Sequence, residues 1–336
     1  MQELKQTIHD MVVVGKGILA ADEGISTAAK RLASINLEST EETRRQYRNL
    51  ILTAPGIEGY ICGVILFEET LYQKTDDRVL FPKHLKNTGI VPGIKVDQGL
   101  ADLNDKEQYT KGLEGLGERL KKYKKAGARF AKWRAVYPIS DATPSEKAIK
   151  KNADDLAKYA KVCQEQGFVP IVEPEVLIDG AHSIGKCYGV TEKALTEVFA
   201  ALKRENVELK YTILKPSMVI SGKQAENRAG VDEVAKRTVQ VLNATVPDEL
   251  PSINFLSGGQ TPEEATAHLN RMHTLGGELP WYLSFSYARA LQEPALQAWQ
   301  GKDENIEAGQ KAFIKRARLN SMATKGEYSE DMENDK

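Results

Sequence analysis

The chain has 336 residues, 41% of them hydrophobic, with 46 Lys+Arg against 47 Asp+Glu and a formal net charge of −1. That balance gives no footprint for a nucleic-acid or anionic-membrane partner, and no apolar run approaches the roughly 20 residues that cross a bilayer. The opening MQELKQTIHDM lacks the apolar core of a signal peptide, and the three unpatterned cysteines, Cys62, Cys163 and Cys187, read as reduced thiols of a cytoplasmic protein.

In chain order, short apolar runs alternate with charged, helix-like stretches. Residues 17–21 (GILAA) form the first run. Ser39-Thr40-Glu41-Glu42 then makes a capping-box pattern ahead of TRRQYRNLIL. Runs follow at 60–67 and 91–96, separated by a segment, 68–90, with a poor helix signal. The run at 128–136 leads to an amphipathic stretch, 145–166, that stops at Gly167, a residue suited to leaving a helix. The run at 168–176 precedes a helix expected to open at Thr191. Runs at 211–219 and 253–257 come next, and Thr261-Pro262-Glu263-Glu264 opens a helix with proline in its first position. Residues 283–287 are the eighth run.

Runs this short and this continuously apolar suit parallel strands covered on both faces. Eight of them joined by helical crossovers favour a closed barrel over an open sheet. The length is above that of most domains but ordinary for an α/β barrel. The expectation is α/β, a single-domain (β/α)8 TIM barrel over residues 1–322, with a polar, mobile tail over 323–336 that carries one aromatic, Tyr328.

The chemistry-bearing side chains fall late in the runs. Asp22 ends GILAAD, Lys95 lies in GIKVD, Lys132 and Arg134 in AKWR, Glu173 and Glu175 in VEPEV, and Lys215 in ILKP. Ser257, Ser286 and Arg289 complete the set. Lys132, Glu173, Lys215 and Ser257 are spaced by 41, 42 and 42 residues, one βα unit each. Barrels of this kind build their active sites from C-terminal strand ends. Charge facing the surrounding helices is hard to tolerate, so these groups belong at the barrel mouth. Singly, each reads as a structural ion pair. Six of eight strands ending in an ionisable group, with two lysines and two glutamates converging, point instead to a site, because buried ammonium groups must be paired or neutralised.

A lysine in a desolvated pocket beside a second cation has a lowered pKa, and Lys132 is the expected neighbour of Lys215. A neutral amine there can attack a carbonyl and form a Schiff base, an electron sink for breaking the adjacent C–C bond. Glu173 and Asp22 are the candidate acid and base. Pro216 biases Lys215 towards extended backbone. Phosphates account for the remaining groups: Ser257, Gly258 and Gly259 follow the seventh strand, where barrels often bind phosphate on loop N–H groups, and Arg289 follows the eighth. Arg31, Lys95 and Arg134 suffice for a second anionic group.

Three look-alike patterns carry less weight. Gly15-x-Gly17-x-x-Ala20 approaches a dinucleotide fingerprint, but the glycines lead into a strand rather than a helix. Residues 256–260 (LSGGQ) match the signature of ABC-type ATPases, and 180–187 (GAHSIGKC) approach a P-loop, with Cys187 where Ser or Thr ligates Mg²⁺. The five histidines show no metal-ligand spacing; His268 and His273 read as surface residues, and no metal is expected.

The segments GKGILAADE, CGVILFEETLYQK, GIKVD, FAKWR, PIVEPE, LKPSMV, FLSGGQ and SFSYARALQ together resemble class I fructose-1,6-bisphosphate aldolase over nearly the whole chain. The resemblance implies a lyase that reversibly cleaves fructose 1,6-bisphosphate to dihydroxyacetone phosphate and glyceraldehyde 3-phosphate, in glycolysis and gluconeogenesis, without a cofactor. It implies Lys215 as the Schiff-base lysine, Glu173 as acid/base for imine formation and Asp22 as the group placed for C–C cleavage, with Lys132 and Glu175 shaping the site. It makes Ser257, Gly258, Gly259, Ser286 and Arg289 the phosphate set at the ketone end, and Arg31, Lys95 and Arg134 contacts for the other end. It also implies a cytosolic homotetramer acting on sugar phosphates. The chain departs from the animal pattern at Gly24-Ile25-Ser26-Thr27, at Ala288 in place of a glycine, and at a shorter tail ending in Lys336 rather than tyrosine.

Overall fold

The computed structural model describes residues 1–334. Ten strands form in chain order: β1 (Gly17–Ala21), β2 (Ile61–Leu66), β3 (Val91–Lys95), β4 (Leu100–Asn104), β5 (Glu107–Thr110), β6 (Phe130–Tyr137), β7 (Val169–Val176), β8 (Ile213–Leu214), β9 (Ser252–Phe255) and β10 (Tyr282–Tyr287). Eight are parallel and close a barrel in the order β1-β10-β9-β8-β7-β6-β3-β2. The other two, β4 and β5, form a separate antiparallel hairpin. This is the (β/α)8 architecture that the alternation of runs and helices implies.

Two cores explain why the runs look continuously apolar. Leu19, Trp133, Val172, Leu214, Phe255 and Phe285 face outward into the layer beneath the helices. Their neighbours Ile18, Ala20, Phe130, Ile171 and Ile213 form a smaller core inside the barrel. The helix Gln2–Met11 closes that inner core at the N-terminal mouth with Leu4 and Met11. A strand apolar on both faces cannot show a period of two.

The inward face changes character along four of the strand paths. Ile18 and Ala20 lead to Asp22, Phe130 to Lys132, Ile171 to Glu173, and Ile213 to Lys215. On those paths apolar side chains fill the bottom of the barrel and ionisable ones occupy its top, while β9 and β10 turn the buried polar Ser252, Asn254 and Ser284 inward.

Several local expectations are corrected. The helix after β7 is Ile184–Arg204, capped by Ser183, so Thr191 is a buried interior residue and not its start. The helix Glu41–Leu52 is capped by Thr40, one residue later than a Ser39–Glu42 box implies, and its reciprocal cap pairs Thr40 with Thr43. The run at 211–219 yields only two residues of strand: Leu209–Tyr211 is a turn of 3₁₀ helix, and Pro216 has no N–H to extend the ladder. Segment 68–90 holds two short helices, Glu68–Tyr72 and Phe81–Asn87.

The tail is not a free polar extension. Tyr328 is buried; its N–H donates to Asn270 Oδ1 at 3.0 Å, and its hydroxyl donates to Glu333 Oε1 at 2.9 Å. Glu333 in turn pairs with the buried Arg316 at 2.5 Å. Those anchors run as far as the 3₁₀ turn Glu330–Asn334; Lys336 lies outside the described residues.

Gly93 shows how tightly the inner core is filled. A Cβ there would lie 2.3 Å from the Phe130 ring. Gly93→Ala is expected to cost about 1–3 kcal/mol through overpacking, seen as a lower denaturant midpoint at constant slope. An unchanged midpoint would show that the Phe130 ring yields freely.

Candidate active site

The strand register assembles the cluster. Arg134 pairs with Glu173 across β6 and β7, and Val172 pairs with Leu214 across β7 and β8, which sets Glu173 beside Lys215. The ladder continues past the short β8: the Lys215 N–H donates to the Val172 carbonyl at 2.8 Å, and the Leu256 N–H donates to the Pro216 carbonyl at 3.1 Å. Proline removes one donor but leaves its acceptor in use.

Glu173 then holds two lysines. Its Oε1 lies 3.2 Å from Lys215 Nζ, and its Oε2 lies 3.0 Å from Lys132 Nζ. Lys132 also meets Asp22 Oδ2 at 2.7 Å. The expected closeness of the two lysines is therefore realised through a shared carboxylate. All four side chains are buried.

Burial pushes both carboxyls up, but Lys132 and Lys215 outweigh it and hold Asp22 and Glu173 below the usual carboxylate range. Burial likewise works against the Lys132 ammonium. Asp22 and Glu173 overcome it and hold Lys132 above an ordinary lysine. At neutral pH Lys132 is a fixed cation between two fixed anions.

A cleft of about 910 Å³ opens over this cluster. Twelve of the thirteen predicted site residues line it: Asp22, Arg31, Lys132, Arg134, Glu173 and Glu175, and then Lys215, Ser257, Gly258, Gly259, Ser286 and Arg289. Lys95 does not. It neighbours Lys132 across β3 and β6 but bends to Asp97, 2.6 Å away. Arg134 is held by a short contact to Glu175.

The glycine loop has its own scaffold. Gly258 and Gly259 both take positive φ, +49° and +81°, a backbone that side chains other than glycine's resist. The Ser257 carbonyl accepts from the Gln260 N–H at 3.0 Å and from its side-chain amide at 2.8 Å. Gln260 Oε1 lies 2.6 Å from His268 Nδ1. His268 is thus a buried support and not a surface residue; burial lowers its pKa to about 4, so the ring is neutral. His273 is also packed inward, against the Leu283 carbonyl at 2.9 Å.

Sequence reasoning missed three contributors. Glu23 sits on the helix-facing side, where a charge was thought untenable. It is buried and tolerated because Arg31, at 2.6 Å, and Arg48, at 2.8 Å, both pair with it. Gln292 donates to Glu23 Oε1 at 3.0 Å and to the Ala20 carbonyl at 2.6 Å, so the same group that orients Arg31 is tied to β1. Lys223 lines the cleft beside the glycine loop. Adjacent Asp22-Glu23 was the visible signal for the first. Nothing local marks the other two.

Among the described residues, no group of three or more His, Cys, Asp or Glu side chains is placed to hold a metal ion.

The chain matches the family described as "Fructose-bisphosphate aldolase class-I" over residues 3–336. It is 53% identical over 319 residues to "Fructose-bisphosphate aldolase 4, cytosolic" of Arabidopsis thaliana, covering 94% of this chain and 81% of that one. It is also 53% identical, over 332 residues, to "Probable fructose-bisphosphate aldolase class 1" of Xanthomonas campestris, covering 98% and 99%. The chain belongs to the class-I fructose-bisphosphate aldolase family. A solved structure of the Plasmodium falciparum fructose-bisphosphate aldolase, in complex with TRAP and a small-molecule inhibitor, superposes with a TM-score of 0.95 at 48% identity, covering 98% of this chain and 95% of that one. Class-I aldolases are carbon–carbon lyases working through a lysine Schiff base, and their substrates are sugar phosphates.

Lys132→Met leaves two buried carboxylates without their shared cation. The expected loss is about 3–5 kcal/mol at pH 7, read by urea unfolding. The depressed carboxyls stabilise the fold fully above an unfolded value of about 4 and lose that contribution as pH falls through their folded values. The gap between wild type and variant should therefore narrow below about pH 4; a constant gap would contradict the pairing.

Proposed function

We propose that Lys215 forms the Schiff base and that the Glu173–Lys132–Asp22 chain manages its protons. The observation that carries this is the 3.2 Å contact between Lys215 Nζ and a carboxylate whose other oxygen is already held by a lysine. A proton passing from the Lys215 ammonium to Glu173 creates two reagents at once, a neutral amine and a carboxylic acid. The amine attacks C2 of open-chain fructose 1,6-bisphosphate. Glu173 returns the proton to the carbinolamine hydroxyl, and water leaves.

In the iminium that results, Asp22 takes the C4 hydroxyl proton. The C3–C4 bond breaks, and its electron pair moves to C3 and the imine nitrogen as an enamine. Glyceraldehyde 3-phosphate departs. Protonation at C3 and hydrolysis of the imine release dihydroxyacetone phosphate and restore Lys215. Lys132, protonated throughout, keeps Asp22 and Glu173 ionised between steps. No metal or organic cofactor takes part in this scheme.

The phosphates divide between the two ends of the cleft. Ser257, Gly258, Gly259, Ser286 and Arg289 receive the ketone-end phosphate. The Ser286 hydroxyl is buried without an internal partner, and the helix Arg289–Trp299 starts here with no side-chain cap, leaving N–H groups for an anion. Arg31 and Arg134, steadied by Glu23 and Glu175, serve the other phosphate, with Lys95 able to join once released from Asp97. Residue 24 is glycine and residue 288 alanine, so the chain places no hydroxyl at the first and a methyl group at the second.

Cytosolic relatives in Arabidopsis and three buried free cysteines support a cytoplasmic enzyme. The family resemblance supports a homotetramer, and light scattering at micromolar concentration should give four times the chain mass; a monomer would refute that assembly.

Borohydride reduction during turnover of fructose 1,6-bisphosphate should trap an adduct that mass spectrometry places on Lys215, with none in Lys215→Met. Glu173→Gln should lower kcat about 10²–10⁴-fold, the usual range for a general acid/base. An adduct on another lysine, or activity that survives Lys215→Met and disappears with EDTA, would overturn the scheme.

A further inference from the structure

The loop after Lys215 carries a second feature aimed at the cleft. Residues 222–224 are laced to residues 178–182, the segment after β7. The Lys223 N–H donates to the Ile178 carbonyl at 2.9 Å, the Gly222 N–H to His182 at 2.9 Å, and the Gln224 N–H to Gly180 at 3.0 Å. In return the Gly180 N–H donates to Gln224 Oε1 at 2.7 Å. The two loops approach so closely that a Cβ on Gly222 would lie 2.2 Å from the Gly180 oxygen. This clasp contains the start of GAHSIGKC, the stretch that imitates a P-loop, and gives it a structural purpose.

The clasp fixes the backbone from which Lys223 reaches over the glycine loop. Its Cε and Nζ lie 3.1 and 3.3 Å from where a Cβ on Gly259 would sit. Its exposed side chain lines the cleft, and among the described residues no carboxylate pairs with its ammonium. Arg289, which lines the same cleft, likewise has no carboxylate partner among the described residues. Two cations and a positive-φ glycine pair therefore line the same cleft, with Lys223 against Gly259.

We infer that Lys223 is a further substrate-binding residue, a cation that completes the phosphate site of the glycine loop from above and tightens the grip on the ketone-end phosphate. The inference rests on the aldolase reading of the cleft. Three elements then hold one phosphate: the loop N–H groups, Arg289 and Lys223. A lysine suits that place as a compact point charge on a flexible stem, able to follow the phosphate in and out. Removing the charge weakens binding without touching the Lys215 chemistry.

Lys223→Gln should raise KM about tenfold, the order of one charge-assisted contact, and the rise should be equal for fructose 1,6-bisphosphate and fructose 1-phosphate, which share the ketone-end phosphate. The inhibition constant of inorganic phosphate should rise by the same factor, and Lys223→Arg should restore most of the loss. An unchanged KM, a rise confined to the bisphosphate, or a loss in kcat alone would overturn the assignment. Wild-type protein that neither cleaves substrate nor traps on Lys215 would instead defeat the aldolase reading, whatever Lys223 does.

Discussion

The barrel mouth depends on one carboxylate. Glu173 accepts Lys132 on one oxygen and Lys215 on the other, all of them buried. An ammonium at the end of an apolar strand is untenable alone, and two side by side would be worse. Asp22 supplies the second negative charge, so two cations and two anions balance at the buried floor of the cleft. The balance also explains the permanence of Lys132: a cation gripped by two anions has no reason to release its proton.

That quartet exists only because the sheet closes. Glu173, Lys132 and Lys215 come from the adjacent strands β6, β7 and β8, but Asp22 follows β1, three places from β6 around the ring. The Asp22–Lys132 contact spans the barrel mouth. An open sheet would carry the same side chains at the same strand ends and could not join them. Closure converts strand-end charge into a single coupled unit.

The charge quartet and the proposed phosphate contacts are built differently. The quartet stands on strands whose lower halves are packed apolar core, which gives it a fixed geometry. The proposed phosphate contacts stand on a loop, on the helix Ile25–Ala33 and on β6, each stiffened by a polar partner: Gln260 and the neutral His268 behind the glycine loop, Glu23 beside Arg31, Glu175 beside Arg134. Charged phosphates need donors at the wet rim, and the imine chemistry needs a dry floor.

The sequence alone determined the eightfold alternation, the strand positions of Lys132, Glu173, Lys215 and Ser257, and the chemistry those residue types can perform. Such features are local: apolar runs and intervals of one βα unit survive in one dimension. It misjudged the short β8, the start of the helix at Ile184 and the docked tail, where Pro216, Ser183 and Tyr328 act through partners distant in the chain. Only the tertiary structure decided that Glu173 bridges both lysines, that Glu23 can be buried between two arginines on the helix side, that Lys95 turns to Asp97, and that Lys223 lies over the glycine loop. Each is a question of which charge neutralises which. Spacing along the chain fixes the strand on which a charge sits, and only the closed barrel fixes its counter-ion.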